Sequence, residues 1–255
     1  MRCALIGYGR MGRAIEHEAV RRGHEVAGIV DPCARPGVPF EPSALAEAGL
    51  SAAFEFTSPC SAATNVASLL EVGVPVVCGT TGWAPDDRLH ALAEERGVAA
   101  VVAPNFSVGV NLLYRVVRFA AAAFGATGLY APYVWEMHHA GKVDAPGGTA
   151  LRLAQWIREA DPRHPEVVSE LGGRPLPEGA VHVGAIRAGH EVGRHVVGFD
   201  GVHDVVEIEH RARSREGFAL GAVIAAEWLT DAPAGVHGFD AVLDAWIERA
   251  RGGRS

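Results

Sequence analysis

The amino-acid sequence predicts an α/β chain: an N-terminal doubly wound parallel sheet followed by a C-terminal α+β region built on a mixed sheet. Three observations predict it. Short apolar runs alternate with amphipathic helical stretches over the first hundred residues, the pattern of parallel strands joined by crossover helices. A glycine-rich turn follows the first of those runs at once. Beyond residue 180, strand-like runs follow one another with no helix between them, which suits an antiparallel or mixed sheet.

The elements read in order as follows. Residues 2–6 form an apolar run suited to a strand buried on both faces. The turn Gly7-Tyr8-Gly9-Arg10-Met11-Gly12 opens an amphipathic helix that runs to about Arg22, where Gly23 stops it. Residues 25–31 read as a second strand ending in Asp31. Strands at 52–56, 74–78 and 98–102 then alternate with helices at about 59–71 and 85–96, and a helical run from Val108 to about Phe124 ends the alternation. Residues 130–137 are strand-like, and a helix from Thr149 to about Glu159 follows. The stretch 161–179, rich in Pro, Gly and charge, marks a long surface connection. Strands follow at 181–187, 194–199 and 204–210. In the last, Val206 and Ile208 alternate with Glu207 and Glu209, as in a sheet with one wet face. Helices at about 216–229 and 239–250 close the chain, and there are no repeats.

Bulk properties narrow the function. The 255 residues suffice for one large domain or two modest ones. A formal charge of −7, spread along the chain, argues against nucleic acid or an anionic membrane as a partner. No uninterrupted apolar run of about 18 residues exists, and Met1 leads into a strand rather than a basic–apolar leader. Cys3, Cys33, Cys60 and Cys78 lie far apart with no CxxC pair, so neither a zinc site nor a disulfide framework is expected. The reading is a reduced, cytoplasmic protein without a metal.

The glycine turn has separate jobs for its residues: a tight turn at the strand end, close approach of backbone to a pyrophosphate, and close helix–strand packing. Asp31 stands 19 residues after Gly12, about where a carboxylate accepts the ribose hydroxyls of a dinucleotide. The alternative is a glycine-rich turn with no ligand. In doubly wound sheets ligands sit at the carboxyl ends of strands, where three loops fall: 57–59, 79–82 and 103–106. The expected cofactor contacts are Gly7, Tyr8, Gly9, Arg10, Met11, Gly12, Asp31, Gly79, Thr80, Thr81, Ala103, Pro104, Asn105 and Phe106. Ser58 alone reads as ordinary turn chemistry.

The chemistry concentrates in Glu136-Met137-His138-His139-Ala140-Gly141-Lys142-Val143-Asp144-Ala145-Pro146-Gly147-Gly148-Thr149-Ala150. Two imidazoles and an ammonium can supply protons and cationic charge. Backbone N–H groups of Gly148, Thr149 and Ala150, at a helix start, can hold a carboxylate. In extended backbone neighbouring side chains point apart, so His138 and His139 must sit at a bend to face one ligand. Taken singly, either histidine could be satisfied locally, Lys142 could be a solvated charge, and Asp144 reads as a turn cap.

These residues resemble one family, 4-hydroxy-tetrahydrodipicolinate (dihydrodipicolinate) reductase. The resemblance rests on residues 136–150, on Ala-Pro-Asn-Phe-Ser-Val-Gly-Val-Asn at 103–111, on Gly-Thr-Thr-Gly at 79–82, and on His-Arg-Ala-Arg-Ser-Arg at 210–215. It implies NAD(P)H-dependent reduction of a cyclic imine dicarboxylate in diaminopimelate and lysine synthesis. It implies a Rossmann domain over 1–106, rejoined by 216–255, and a substrate-binding, catalytic and oligomerisation domain over 107–215 in a homotetramer. His138 resembles the proton donor/acceptor, Lys142 the second proton donor, His139 the substrate-binding histidine, and Gly148 with Thr149 the carboxylate cradle. A free imidazole titrates near 6.5, within reach of neutral pH. For Arg215 three readings stay open, cofactor contact, interdomain hinge or surface ion pair, and it stands outside the catalytic set. Two departures stand out: Gly147 occupies a position where the family commonly has serine, and the fingerprint is the shorter GxGxxG. Asp31 should repel a 2′-phosphate while Arg35 offsets that charge, which points to NADH with NADPH tolerated. The rivals are another two-domain Rossmann dehydrogenase and a non-catalytic NAD(H) sensor.

Overall fold

The computed structural model describes residues 1–37 and 39–252, so residues 253–255 of the segment expected to rejoin the first domain lie outside the described residues. The chain divides into two units: Met1–Val108 with Arg215–Ser255, and Gly109–Ser214.

In the first unit, six parallel strands lie in the order β11-β5-β4-β3-β1-β2. They are β1 (Arg2–Ile6), β2 (Glu25–Val30), β3 (Ala52–Glu55), β4 (Val76–Cys78), β5 (Ala99–Val102) and β11 (Gly235–His237). Side-chain alternation along each strand feeds two cores. Leu5, Phe54, Val77 and Val101 face one side, where α1 (Arg10–Arg21), α7 (Glu216–Leu229) and α8 (Phe239–Gly252) bring Ile15, Val223 and Leu243. Ile6, Ala53, Val76 and Ala100 face the other, where α3 (Pro59–Glu71) and α4 (Asp87–Arg96) bring Val66, Leu69 and Leu89. Strand order reverses between β1 and β3, the kind of switch point where ligands bind.

In the second unit, five strands form a mixed sheet in the order β10-β9-β6-β8-β7. These are β6 (Tyr130–His138), β7 (Glu166–Val168), β8 (Ala180–Arg187), β9 (Arg194–Gly201) and β10 (Val205–Arg211). β6 runs parallel to β8 and antiparallel to β9. Residues Leu113, Val117 and Ala121 of α5 (Val108–Thr127), with Leu153 and Ile157 of α6 (Gly148–Ala160), pack on Val134, Val183, Val197 and Phe199. By length and composition α5 could cross a membrane. It carries Arg115 and Arg118 and gives its apolar stripe to this core.

Both sheets agree with the fold class read from the sequence. The short α2 (Pro42–Glu47), β7 and β11 are additions. β7 lies in the stretch read as connection, because three residues carry too little alternation to register as a strand. In β10, Ile208 turns inward as expected, but Val206 is 37% exposed on this edge strand.

Candidate active site

Two sets of residues, one in each unit, carry the chemistry. In the first, the three glycines separate as the fingerprint requires. Gly7 takes φ +92°, and a Cβ there would strike the Phe56 carbonyl; one on Gly12 would strike the Gly7 carbonyl. A Cβ on Gly9 would meet nothing within 4 Å. Gly9 is also the N-cap of α1, with no side chain bonded to the exposed N–H groups of the first turn. A pyrophosphate needs such open backbone donors at a positive helix end, so these residues fit a dinucleotide.

Asp31 has a structural job that the sequence did not reveal. One carboxylate oxygen accepts the Tyr8 N–H at 2.7 Å, and the other accepts those of Cys33 and Ala34 at 2.8 Å. These bonds hold its pKa below the ordinary carboxylate value. A carboxylate has about four acceptor sites, so roughly one remains for a ribose hydroxyl. Arg13 stacks on the Tyr8 ring at 5.0 Å, and Arg35 is exposed on the turn after Asp31.

The remaining expected cofactor contacts sort by accessibility. Arg10, Thr81 and Pro104 are exposed. Thr80 is buried, its hydroxyl accepting the Thr57 N–H at 2.8 Å and donating to Glu55 at 2.7 Å. Gly79 lies against the Phe56 ring with no room for a Cβ. Ala103 and Phe106 are core residues, Phe106 packing between Phe56 and Phe239 at 5.9 and 5.2 Å, while Met11 leans on the same core. Their side chains hold the loops up, and only backbone there is free to meet a ligand. Asn105 turns its loop by accepting the Ser107 N–H at 2.8 Å.

In the second unit, β6 ends at His138, and the segment 139–147 bends back to the start of α6. A turn begins at His139, just after the strand ends. The His139 N–H donates to the Glu191 carbonyl at 2.7 Å, and the Lys142 N–H to the His139 carbonyl at 3.1 Å. α6 starts at Gly148 with Gly147 as N-cap and no capping side chain, and Gly148 is exposed, a helix end of the kind that meets anions. Thr149 shares a hydrogen bond with Tyr114. Asp144 does not cap this helix. Its carboxylate pairs with Lys142 Nζ at 2.5 Å, and the helix N-cap, Gly147, stands three residues further on. Lys142 lies beside Gly147: a Cβ there would stand 3.0 Å from Lys142 Cε and 3.2 Å from Nζ.

Behind this loop sits Glu136, completely buried, to which sequence reasoning assigned no role. Its Oε1 accepts Arg187 Nη2 at 2.6 Å and the Gly147 N–H at 2.7 Å. Its Oε2 is 2.9 Å from His138 Nδ1, whose ring is tilted off a straight bond, and 3.6 Å from His195 Nε2. Burial pushes the Glu136 carboxyl up, but His138, Arg187 and the Gly147 N–H outweigh it and take it to about 2. Burial, reinforced by His138, holds His195 down to about 4, so it is neutral at pH 7. The signal that could have found Glu136 is period two. Val134, Glu136 and His138 share one strand face, and the register sets Glu136 opposite His195 and His138 opposite Arg187. Glu136, His138 and His195 also offer donor atoms within 4.8 Å, as a metal would need. The arrangement suits protons better, since the carboxylate is already balanced by Arg187 and a dication would also face Lys142.

Comparison with known proteins matches both halves of the chain. Family models described as "Dihydrodipicolinate reductase, N-terminus" and "Dihydrodipicolinate reductase, C-terminus" match residues 1–106 and 109–243. Proteins named 4-hydroxy-tetrahydrodipicolinate reductase are similar over most of the chain. One from Archaeoglobus fulgidus is 37% identical over 90% of this chain and 94% of its own length. One from Rubrobacter xylanophilus is 37% identical over 92% and 95%. Among solved structures, dipicolinate-bound dihydrodipicolinate reductase from Paenisporosarcina sp. TG-14 superposes with a TM-score of 0.77 at 24% identity, covering 93% of this chain and 97% of that one. An amine dehydrogenase from Mycobacterium smegmatis gives 0.60 at 12% identity over 94% and 95%, which shows the fold alone. With both halves matched in order and relatives covered nearly end to end, the chain belongs to the dihydrodipicolinate reductase family, a family of oxidoreductases.

Proposed function

We propose that the chain reduces 4-hydroxy-tetrahydrodipicolinate to tetrahydrodipicolinate in diaminopimelate and lysine synthesis, using NADH and tolerating NADPH. The observation that carries this reading is the segment 136–149. It gathers His138, Lys142 and the uncapped start of α6 around a buried carboxylate, in a chain whose relatives bear that reductase name.

Substrate and product differ by one hydroxyl replaced by hydrogen, so a hydride enters and a water leaves carrying a proton. The nicotinamide supplies the hydride when bound. The residues of the second unit bind and protonate: the N–H groups of Gly148 and Thr149 hold one carboxylate, and His139 takes part in binding the substrate. Lys142 adds a positive charge that favours a dianionic ligand. His138 and Lys142 exchange the protons. In the first unit, residues 7–12 take the pyrophosphate at the start of α1, Asp31 offers its remaining acceptor site to ribose, and loops 79–81 and 103–106 line the nicotinamide end. Arg13 and Arg35 near Tyr8 give a 2′-phosphate some compensation for Asp31, which supports tolerance of NADPH. The proposal thus places cofactor binding in 1–106 with the returning 216–255, and substrate binding in 107–215. Four unpaired cysteines fit a reducing cytoplasm. Exposed Ile186, Val205 and Val206 on the mixed sheet, with Val202 in the turn between β9 and β10, suit self-association into a homotetramer, which light scattering would size.

The test is oxidation of NADH by the purified protein with freshly generated 4-hydroxy-tetrahydrodipicolinate, repeated with NADPH. His138→Gln and Lys142→Ala should each lose about 10²–10⁴-fold in kcat while NADH binding survives. Wild-type protein that binds NADH without turnover would sink the proposal.

A further inference from the structure

Glu136 is chemically unusual for its place. A fully buried carboxylate on a strand is costly unless every oxygen is met by a donor. Here the donors come from three stretches of chain, Arg187 at the end of β8, the Gly147 N–H at the end of the loop and His138 on β6, with His195 of β9 just beyond hydrogen-bond reach at 3.6 Å. Arg187 also donates to the Asp144 carbonyl in the middle of that loop. One carboxylate therefore anchors both ends of the segment carrying Lys142 and, through Arg187, its centre.

The two oxygens have different tasks. Oε1 is filled by the guanidinium and the backbone N–H, which can only donate. Oε2, His138 Nδ1 and His195 Nε2 are all buried without a hydrogen-bond partner; His195 Nε2 lies 3.6 Å from Oε2, outside hydrogen-bond distance, and His138 Nδ1 lies 2.9 Å from it, within that distance. Two buried orphans at that separation satisfy each other with a small turn of the ring. Catalytic hydrogen bonds commonly straighten only when ligand is bound. A carboxylate can only accept, so the shared proton sits on Nδ1, and Nε2 carries the lone pair when the ring is neutral. Gly193 keeps that side clear, since a Cβ there would come to 3.0 Å from Nε2.

We propose that Glu136 is the positioning residue of this site: it fixes His138 as the Nδ1–H tautomer, aims Nε2 at the substrate as the proton-exchanging atom, and with Arg187 pins the Lys142 loop against the start of α6. The proposal rests on the reductase reading. The charged and titratable groups around the centre are Glu136 itself, Arg187 from β8, His195 from β9, His210 from β10, and Lys142 with Asp144 from the loop.

Glu136→Gln tests it. Arg187 and the Gly147 N–H keep an oxygen at the Oε1 position, so the new amide presents its NH₂ to His138 and the tautomer inverts to Nε2–H. The expected result is a folded protein with kcat down about 10²-fold, NADH affinity unchanged, and the alkaline limb of the kcat–pH profile about one unit lower, because a negative charge beside the imidazolium is gone. Glu136→Asp, which restores the charge, should recover part of the loss. Turnover within about threefold of wild type with an unmoved profile would overturn the proposal. If Glu136→Gln fails to fold, nitrogen NMR of the wild-type histidines decides, with the His138 signal identified by its absence in His138→Gln. An Nδ1–H tautomer supports the proposal and an Nε2–H tautomer overturns it. That measurement needs no substrate, so it stands or falls separately from the reductase reading.

Discussion

Glu55 in the first unit and Glu136 in the second are both completely buried near the carboxyl ends of their strands, yet the groups that hold them differ in kind. Glu55 is met by neutral donors. These are Thr80 Oγ1 at 2.7 Å, Cys78 Sγ and Asn65 Nδ2 at 3.1 Å, and the Thr57 hydroxyl. Glu136 is met by a guanidinium, a backbone N–H and an imidazole. The first arrangement ties loops together: Thr80 bonds both Glu55 and the Thr57 N–H, so the loops at 57–59 and 79–82, both at carboxyl ends of strands, are joined through one hydroxyl. The second sets charge and proton position. The unit proposed to bind cofactor needs a stiff rim, and the unit proposed to move protons needs a fixed field.

The largest effect should come from unbalancing the second arrangement. Arg187→Met leaves Glu136 buried beside only partial compensation, and breaking such a pair typically costs about 3–5 kcal/mol. Thr80→Val removes one neutral donor from Glu55 and should cost about 1–3 kcal/mol. It should also weaken NADH binding about 2–10-fold without changing substrate KM. Urea unfolding measures the first two quantities, and titration of NADH the third. Equal stability losses for the two variants would break the comparison.

Acid separates the units next. His195 is held near 4 rather than 6.5, mainly by burial, and His210 is also lowered by burial. Between those values the unfolded chain binds a proton that the folded chain refuses. Stability is therefore complete above about 6.5 and falls as pH drops toward 4, by on the order of 3 kcal/mol for His195. Below 4.5 the carboxylates add to the loss. Glu136, raised by burial but lowered further by its three donors, stays ionised to about 2, and Asp161 likewise under Arg163 and His164, so their stabilisation disappears as pH falls to that range. The histidines fall in the second unit. Between pH 6.5 and 4.5, hydrogen exchange should quicken in β6 and β9 before β1 and β3. The reverse order would show that burial of His195 is not what limits stability there.

How much of this was legible follows from how local each signal is. Gly7, Gly9 and Gly12 could be assigned separate tasks because a strand–turn–helix fixes their geometry within six residues. His138, His139 and Lys142 were legible as residue types in one segment. Glu136 stood in the same segment but drew no notice, since Arg187 is 51 residues away and only the β6–β8 and β6–β9 registers bring its partners in. Asp31 was placed correctly at the strand end, but its bond to the Tyr8 N–H depends on β1 lying beside β2. Asp144 reads in the sequence as a turn cap, whereas its pairing with Lys142 two residues back shows only in the structure. β7 and β11 exist through their sheet neighbours rather than through a pattern of their own.

Gly147 gives the smallest and sharpest test, because sequence and structure value it differently. From the sequence it is a missing hydroxyl, a lost hydrogen bond worth about 0.5–1.5 kcal/mol. In the structure it is also space: a Cβ would stand 3.0 Å from both Glu136 Oε2 and Lys142 Cε, tighter than ordinary packing. Its φ of −76° suits any residue, so backbone strain plays no part. The two contributions separate in a pair of variants. Gly147→Ala adds the Cβ alone. It should lower kcat/KM a few-fold by moving the Lys142 amine a few tenths of an ångström, since that flexible end yields before buried Glu136 does. Gly147→Ser adds the same atom and a donor, so it should exceed Gly147→Ala by about 2–10-fold in kcat/KM, the worth of one neutral hydrogen bond to the substrate carboxylate. If serine merely equals alanine, the α6 N–H groups already satisfy that carboxylate and the hydroxyl is redundant here. If alanine matches wild type, Lys142 does not rest on Gly147 when substrate is bound, and the closeness of the two belongs to the ligand-free protein alone.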